Sequence, residues 1–298
     1  MSSNLLKTGS SSILLGKNKH KSFLPSKKGK MLKITKIDKR HNDLKYLDVI
    51  RTIPNYSKYY CIPDETTYLL KPSDQFYNSV KKMVQKENTK IFKGDLQCNY
   101  IDYAGDKDMH DTIQQIQKYD DLTLWSSYSF ILKFTKKILQ AIMFLHQNKL
   151  CHLDIKPENI MVNKIKRTFK IIDFGFTSLE PFQDFIKNPK GTPYYFPKQF
   201  TSQTITEWHP EIKANDMKIK DGKFPFQKNY LLVYKIDAYC FGRTLYMLNY
   251  CYQERKIYSC YNCEKKGREK LENIIQDLLE NDVNKRITIT ECYQKYFI

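Results

Sequence analysis

The chain has 298 residues, 41% of them hydrophobic, which suffices for one large domain or two lobes with separate cores and excludes global disorder. Its 50 Lys and Arg against 32 Asp and Glu leave a net charge of +18, so it should attract acidic proteins, anionic ligands or nucleic acid unless the charge only solvates the surface. No apolar run approaches the ~20 residues of a bilayer span, and the Leu5-Leu6 and Ile13-Leu14-Leu15 pieces are too broken for a signal peptide. A cytoplasmic protein with no membrane partner is expected.

In chain order, residues 4–36 predict short strands between Gly-, Ser- and Lys-rich turns. Leu44, Leu47 and Ile50 recur near the helical period and predict a helix over 41–53. Residues 54–90 are mixed and polar, with Pro54, Pro63 and Pro72 as breakers. Leu96 to Tyr103 predicts a strand ending at Ala104-Gly105. Ile131, Leu132, Ile138, Leu139, Ile142 and Leu145 then place one apolar stripe on a helix over 128–147. Strand pieces at 160–162 and 169–172 follow, then a polar stretch at about 200–233 that reads as an insertion or long loop, then helices at 234–250 and 271–280. A strand-rich first part and a helix-rich second part predict an α+β fold with two lobes, divided as 1–104 and 105–298.

The 8 cysteines are irregularly spaced in a long chain, which argues against a disulfide scaffold. Only Cys260-x-x-Cys263 has ligand spacing; a zinc site needs a second pair, and none is evident. Free thiols in a reducing compartment are expected.

The stretch that carries chemistry is His152-Leu153-Asp154-Ile155-Lys156-Pro157-Glu158-Asn159, followed by Asp173-Phe174-Gly175. The stretch resembles the catalytic loop and metal-binding motif of the eukaryotic-type Ser/Thr protein kinases. The chemistry that this resemblance implies, phosphoryl transfer, needs positioning and charge neutralisation more than covalent help, which an Asp beside the attacking hydroxyl, a Lys for the transferring group, and an Asn and a second Asp as hard oxygen ligands would supply. By that resemblance Asp154 is the base, Lys156 the phosphate contact, and Asn159 and Asp173 ligands of Mg²⁺ or Mn²⁺, with ATP as the phosphoryl donor.

Further segments resemble the same family in the same order, which implies a bilobal kinase fold with a β-rich nucleotide-binding lobe. Lys33, in Lys30-Met31-Leu32-Lys33-Ile34, takes the role of the Lys that grips the α- and β-phosphates. Gly9 and Ser10 lie where the glycine-rich loop belongs, with Leu14 after it and Met31 against adenine. Ile101 would guard the back pocket, and backbone groups of Asp102 and Ala104 would bond adenine. Gly191-Thr192-Pro193 resembles the substrate-docking end of the activation segment, Asp237 the helix Asp that ties down the catalytic loop, and Asp282 to Arg286 the closing motif. The Lys-Pro-Glu-Asn run and Thr192 resemble the Ser/Thr-specific loop, so Ser/Thr proteins, acidic ones included, are the expected substrates. The polar insert, the degenerate glycine loop and a composition rich in Lys, Asn, Ile and Tyr resemble the compact kinases of large DNA viruses, African swine fever virus among them; a viral chain would work in the host cytoplasm or the virion.

The pattern has departures. The glycine loop keeps only Gly9, Met31 replaces a small residue, and Asp43 is the nearest acid to the place of the Glu that pairs with the Lys. Leu153 replaces an Arg that in many relatives binds a phosphate on the activation segment, and residues 176–190 offer only Thr177 and Ser178 as hydroxyls. That segment is therefore expected to be ordered by packing, with Phe176, Leu179, Phe182, Phe185 and Ile186 as candidates, and to need no phosphate. Lys198 stands where a Glu would pair with Arg286. Two other readings use the same residues: a kinase-fold binding module without activity, which the loop departures favour, and a basic nucleic-acid-binding protein, for which no motif is present.

Overall fold

A computed structural model describes residues 5–8, 12–15, 30–36, 46–84, 94–118, 127–183, 185, 191–192, 194–197, 229–253 and 261–298. The chain divides into two compact units, one of residues 1–42 and 61–104 and one of residues 43–60 and 105–298.

The first unit is a five-stranded antiparallel sheet in the order β1-β2-β3-β5-β4, with β1 Leu5–Thr8, β2 Ser12–Leu15, β3 Lys30–Lys36, β4 Pro63–Leu70 and β5 Leu96–Asp102. Period-2 alternation sends Leu32 and Ile34 of β3 and Leu96, Cys98 and Tyr100 of β5 to one face. Helix α2, Gln75–Val84, joins the same apolar cluster with Phe76, Tyr77 and Val80. Both β4 and α2 fall in the stretch that reads as mixed and polar.

The second unit begins with α1, Leu47–Thr52, a shorter helix than the one expected over 41–53, where residues 41–45 lie outside the described set. Tyr60 follows; its hydroxyl donates to the Ala141 carbonyl, and the Ile171 amide donates to Tyr59 O at 2.8 Å. These bonds place residues 46–60 with the helical unit. After β6 (Lys107–Asp108) and α3 (Met109–Lys118) comes the expected helix α4, Tyr128–Gln147. The Ser127 hydroxyl caps it by accepting the Phe130 amide, and its buried stripe runs from Ile131 to Leu145.

Strands β7 (Leu150–Cys151), β8 (Ile160–Asn163), β9 (Thr168–Ile171) and β10 (Ser178–Leu179) frame the catalytic loop: β7 pairs with β10, and β8 lies between β6 and β9. Gly105 is required at the entrance, because a Cβ there would sit 2.3 Å from the Val162 carbonyl oxygen. Helix α5, Tyr234–Gln253, is buried nearly all round from Ile236 to Leu245, as suits the central helix of a core. Helices α6, Tyr261–Leu278, and α7, Ile289–Phe297, complete the unit; a Thr288–Glu291 capping box starts α7. The expected loop at 200–233 lies outside the described residues up to 228. Its end, Tyr230–Val233, is a 3₁₀ turn leading into α5.

Candidate active site

Asp154 sits in the loop between β7 and β8, almost fully buried, and its carboxylate is the hub of a small polar cluster. The Thr192 hydroxyl donates to Asp154 Oδ1 at 2.6 Å. Lys156 Nζ lies 2.8 Å from Asp154 Oδ2 and donates to Thr192 Oγ1 at 2.7 Å. Asn159 Nδ2 donates both to Asp154 Oδ2 and to its backbone oxygen, each at 2.9 Å. Those bonds orient the Asn159 amide so that Oδ1 faces away from Asp154 as the remaining acceptor. Asp154, Lys156 and Asn159, read from the sequence as one set, are therefore brought together, with Thr192 joining them.

Asp173 is tied to this loop through its neighbour. The Ile172 amide donates to Asn159 O at 2.9 Å, and His152 Nε2 donates to Ile172 O at 3.1 Å. Asp173 holds a φ of 64°, a left-handed conformation that a non-glycine residue keeps only where its surroundings impose it. Phe174 anchors the turn, with its ring edge-on to Tyr60 at 5.9 Å and tilted against His152 at 5.0 Å. Oxygen donors from Asn159 and Asp173 suit a hard divalent cation such as Mg²⁺.

Beneath the loop, Asp237 of α5 accepts the His152 and Leu153 amides at 2.8 and 2.7 Å and the His146 ring at 3.0 Å. Burial alone would raise its carboxyl, but the bonds from His146 and the His152 amide outweigh it and hold the group below its ordinary value. His146, Cys151 and Asp237 bring ligand atoms within 4.8 Å of one another. The Asp237 oxygens are already committed, however, and burial pushes the Cys151 thiol well above its ordinary value, so the cluster supports the loop rather than a cation. His146 was not singled out in the sequence; its partner Asp237 lies 91 residues away, a separation no local pattern reveals.

In the sheet unit, Lys33 lies on β3 opposite Leu14 of β2 and Asn99 of β5. Met31 faces Ile101 in register, and both are buried, as is Ala104. Asp102 is pinned twice: Cys61 Sγ donates to its backbone oxygen at 3.0 Å, and its carboxylate lies 2.7 Å from Lys30 Nζ. Lys30 also meets Asp64 at 3.0 Å. Burial alone would lower the Lys30 ammonium, but these two carboxylates raise it. Gly9, Ser10, Asp43 and Lys198 lie outside the described residues, as does the Cys260-x-x-Cys263 spacing.

A small antiparallel sheet unit, followed by a helical unit whose loop gathers Asp, Lys, Asn and Thr around one carboxylate, defines a protein kinase of the α+β, bilobal class. The chain belongs to the protein kinase domain family, whose pattern matches residues 95–298. It is 26% identical over 173 residues to the serine/threonine-protein kinase ULK3 of Xenopus laevis, a match covering 55% of this chain and 33% of the relative. It is 29% identical over 195 residues to a putative serine/threonine-protein kinase of Acanthamoeba polyphaga mimivirus, covering 60% of each. The chain thus spans a third of the first relative and under two thirds of the second. The solved kinase PK-1 of Cydia pomonella granulovirus shares the fold, with a TM-score of 0.57 over 97% of this chain and 91% of that one, at 16% identity. The resemblance to kinases of large DNA viruses thus has counterparts in a relative and in a fold neighbour. Among the described residues, no helix is long and apolar enough to cross a membrane.

Proposed function

We propose that the chain transfers the γ-phosphoryl group of ATP to Ser or Thr hydroxyls of protein substrates, with residues 1–104, apart from the 43–60 stretch that packs with the helical unit, as the nucleotide-binding lobe and 105–298 as the catalytic lobe. The observation that carries this reading is the Thr192 hydroxyl donating to Asp154 Oδ1 at 2.6 Å. A carboxylate that accepts one hydroxyl in this setting can accept another from a substrate.

In this reading Asp154 orients the attacking hydroxyl and takes its proton as the new O–P bond forms and the bond to the departing ADP breaks. Lys156 offsets negative charge on the moving group, and its contacts to Asp154 and Thr192 keep it beside the base. Asn159 Oδ1 and the Asp173 carboxylate would hold Mg²⁺ or Mn²⁺, which supplies neutralisation of phosphate charge. Lys33 would grip the α- and β-phosphates, and the backbone of Asp102 and Ala104 would read adenine below Met31 and Ile101. A basic surface suits acidic substrate proteins. The host cytoplasm or a virion is the corresponding location for a viral chain.

The test is label transfer from γ-labelled ATP with Mg²⁺ to a panel of acidic proteins, followed by phosphoamino-acid analysis. Phosphoserine or phosphothreonine is expected. Asp154→Asn, Asp173→Ala and Lys33→Met should each lower transfer by about a thousandfold or more. Lys33→Met should keep the melting temperature of the free protein. Wild-type protein that binds ATP but transfers nothing is a binding module instead, and near-normal turnover by Asp154→Asn removes its assigned role.

A further inference from the structure

We propose that Glu180 and Tyr234 are positioning residues that clamp the first part of the activation segment, residues 178–182, without a phosphate; this rests on the kinase reading above. The segment after Asp173 is laid onto the catalytic loop's own strand. Ser178 pairs with Cys151, Leu179 with Leu150, and the Glu180 amide donates to Lys149 O at 2.8 Å. The Glu180 side chain then reaches the start of α5. Tyr234 donates its hydroxyl to Glu180 Oε2 at 2.7 Å, and Tyr230 donates to Oε1 at 3.4 Å. A bond from a phenol to a carboxylate is charge-assisted and stronger than a neutral one.

The Tyr234 ring extends the clamp through two ring contacts. Phe182, fully buried with a φ of 60°, meets it edge-on at 5.0 Å. The His146 ring lies 4.8 Å from it, and His146 bonds Asp237, which carries the amides of His152 and Leu153 next to Asp154. The segment and the base thus share one set of supports. Burial and the Glu180 bond push the Tyr234 phenol above its ordinary value, so it stays a donor at neutral pH.

Where an Arg could take a phosphate stands Leu153, with no exposed surface. Thr177 and Ser178 are themselves buried, so neither hydroxyl is presented for modification in this arrangement. A carboxylate built into the chain occupies the structural role that a phosphate would otherwise fill.

The test compares Glu180→Ala, Glu180→Gln and Tyr234→Phe, the last of which keeps both ring contacts. Amide hydrogen exchange across residues 177–182 should quicken by about tenfold or more in Glu180→Ala and Tyr234→Phe, the loss expected for one charge-assisted bond. Glu180→Gln keeps an acceptor for Tyr234 and should restore most of the protection. Turnover should fall in parallel while the KM for ATP holds, and phosphatase-stripped wild type should start at full rate. Unchanged exchange in both Glu180→Ala and Tyr234→Phe overturns the clamp. So does a lag in stripped wild type that maps to a phosphosite between 176 and 192. If the wild type transfers no phosphate, the kinase reading fails, and the exchange measurement still decides the clamp.

Discussion

The Asp237 carboxylate accepts the Leu153 amide at 2.7 Å, and Leu153 carries a φ of 64° one residue before Asp154. A leucine in the left-handed region costs on the order of 1–3 kcal/mol and survives only where neighbours outweigh the strain. Here the other Asp237 oxygen holds the adjacent amide, that of His152, and the His146 ring, while the Leu153 side chain is sealed in the core. The strained turn that presents Asp154 is therefore fixed from a helix that follows it by more than eighty residues.

The first prediction follows from that support. Asp237→Ala leaves two buried amides unpaired and should cost about 3 kcal/mol or more of stability at neutral pH. Asp237→Asn keeps one acceptor and should cost less. Because the folded carboxyl titrates below its ordinary 3.8, its stabilisation is complete above that value and is lost as the pH falls through the lower folded value. The stability gap between wild type and Asp237→Asn should therefore narrow from about pH 4 downward. Urea midpoints across this range check it; a gap that stays constant into acid would show that the Asp237 charge contributes nothing.

The cluster of Asp154, Lys156 and Asn159 was legible because its members stand close together in the chain, within one short loop. Helix α4 was legible from apolar periodicity, and α5 covers the helix expected over 234–250. Strand β4 was not: Pro63 and the run Asp64 to Thr67 hide it, and its pairing with β5 supplies what local preference lacks. Helix α6 starts ten residues before the expected 271, through a polar first half containing Gly267. That glycine packs so close to Tyr128 that a Cβ would lie 2.7 Å from the tyrosine Cβ, a tertiary reason no window shows. Of the residues expected to pack the activation segment, Phe182 and Phe185 are buried, whereas Leu179 is 37% exposed on the short strand β10. The Glu180–Tyr234 bond spans 54 residues and has no sequence signature.

A second prediction concerns Arg286, which precedes the last helix. The guanidinium is buried, donates to Glu280 O at 2.9 Å and Lys235 O at 3.1 Å, and lies 4.7 Å from the Tyr239 ring centre. Burial lowers its pKa to about 10. Arg286→Lys cannot span both carbonyls and the ring, and should lose about 2 kcal/mol. Arg286→Met removes the buried charge yet strands two carbonyls, and a similar loss of about 2 kcal/mol is expected. Chemical denaturation reads both; a Met variant as stable as wild type would mean that the bonds only offset the burial of the charge.

The last prediction separates base reading from phosphoryl transfer. Lys30 stands opposite Asp102 where β3 pairs with β5, and it joins the Asp102 and Asp64 carboxylates at 2.7 and 3.0 Å. Cys61 holds the Asp102 carbonyl at the same time. If that backbone bonds adenine, as proposed, then releasing Asp102 should disturb base binding and leave the chemistry at Asp154 alone. The pairs are partly exposed, so the effect is bounded by the modest worth of such ion pairs, about 1 kcal/mol or roughly fivefold in affinity. Lys30→Met should therefore raise the KM for ATP by up to about fivefold, with kcat held within about twofold. Asp64→Asn should show a smaller shift, and the double variant should be non-additive, because both changes act on one ammonium. An unchanged KM would remove Lys30 from nucleotide binding. A collapse of kcat in Lys30→Met, with Lys33→Met nearly normal, would instead make Lys30 the phosphate contact and shift the assigned register of β3.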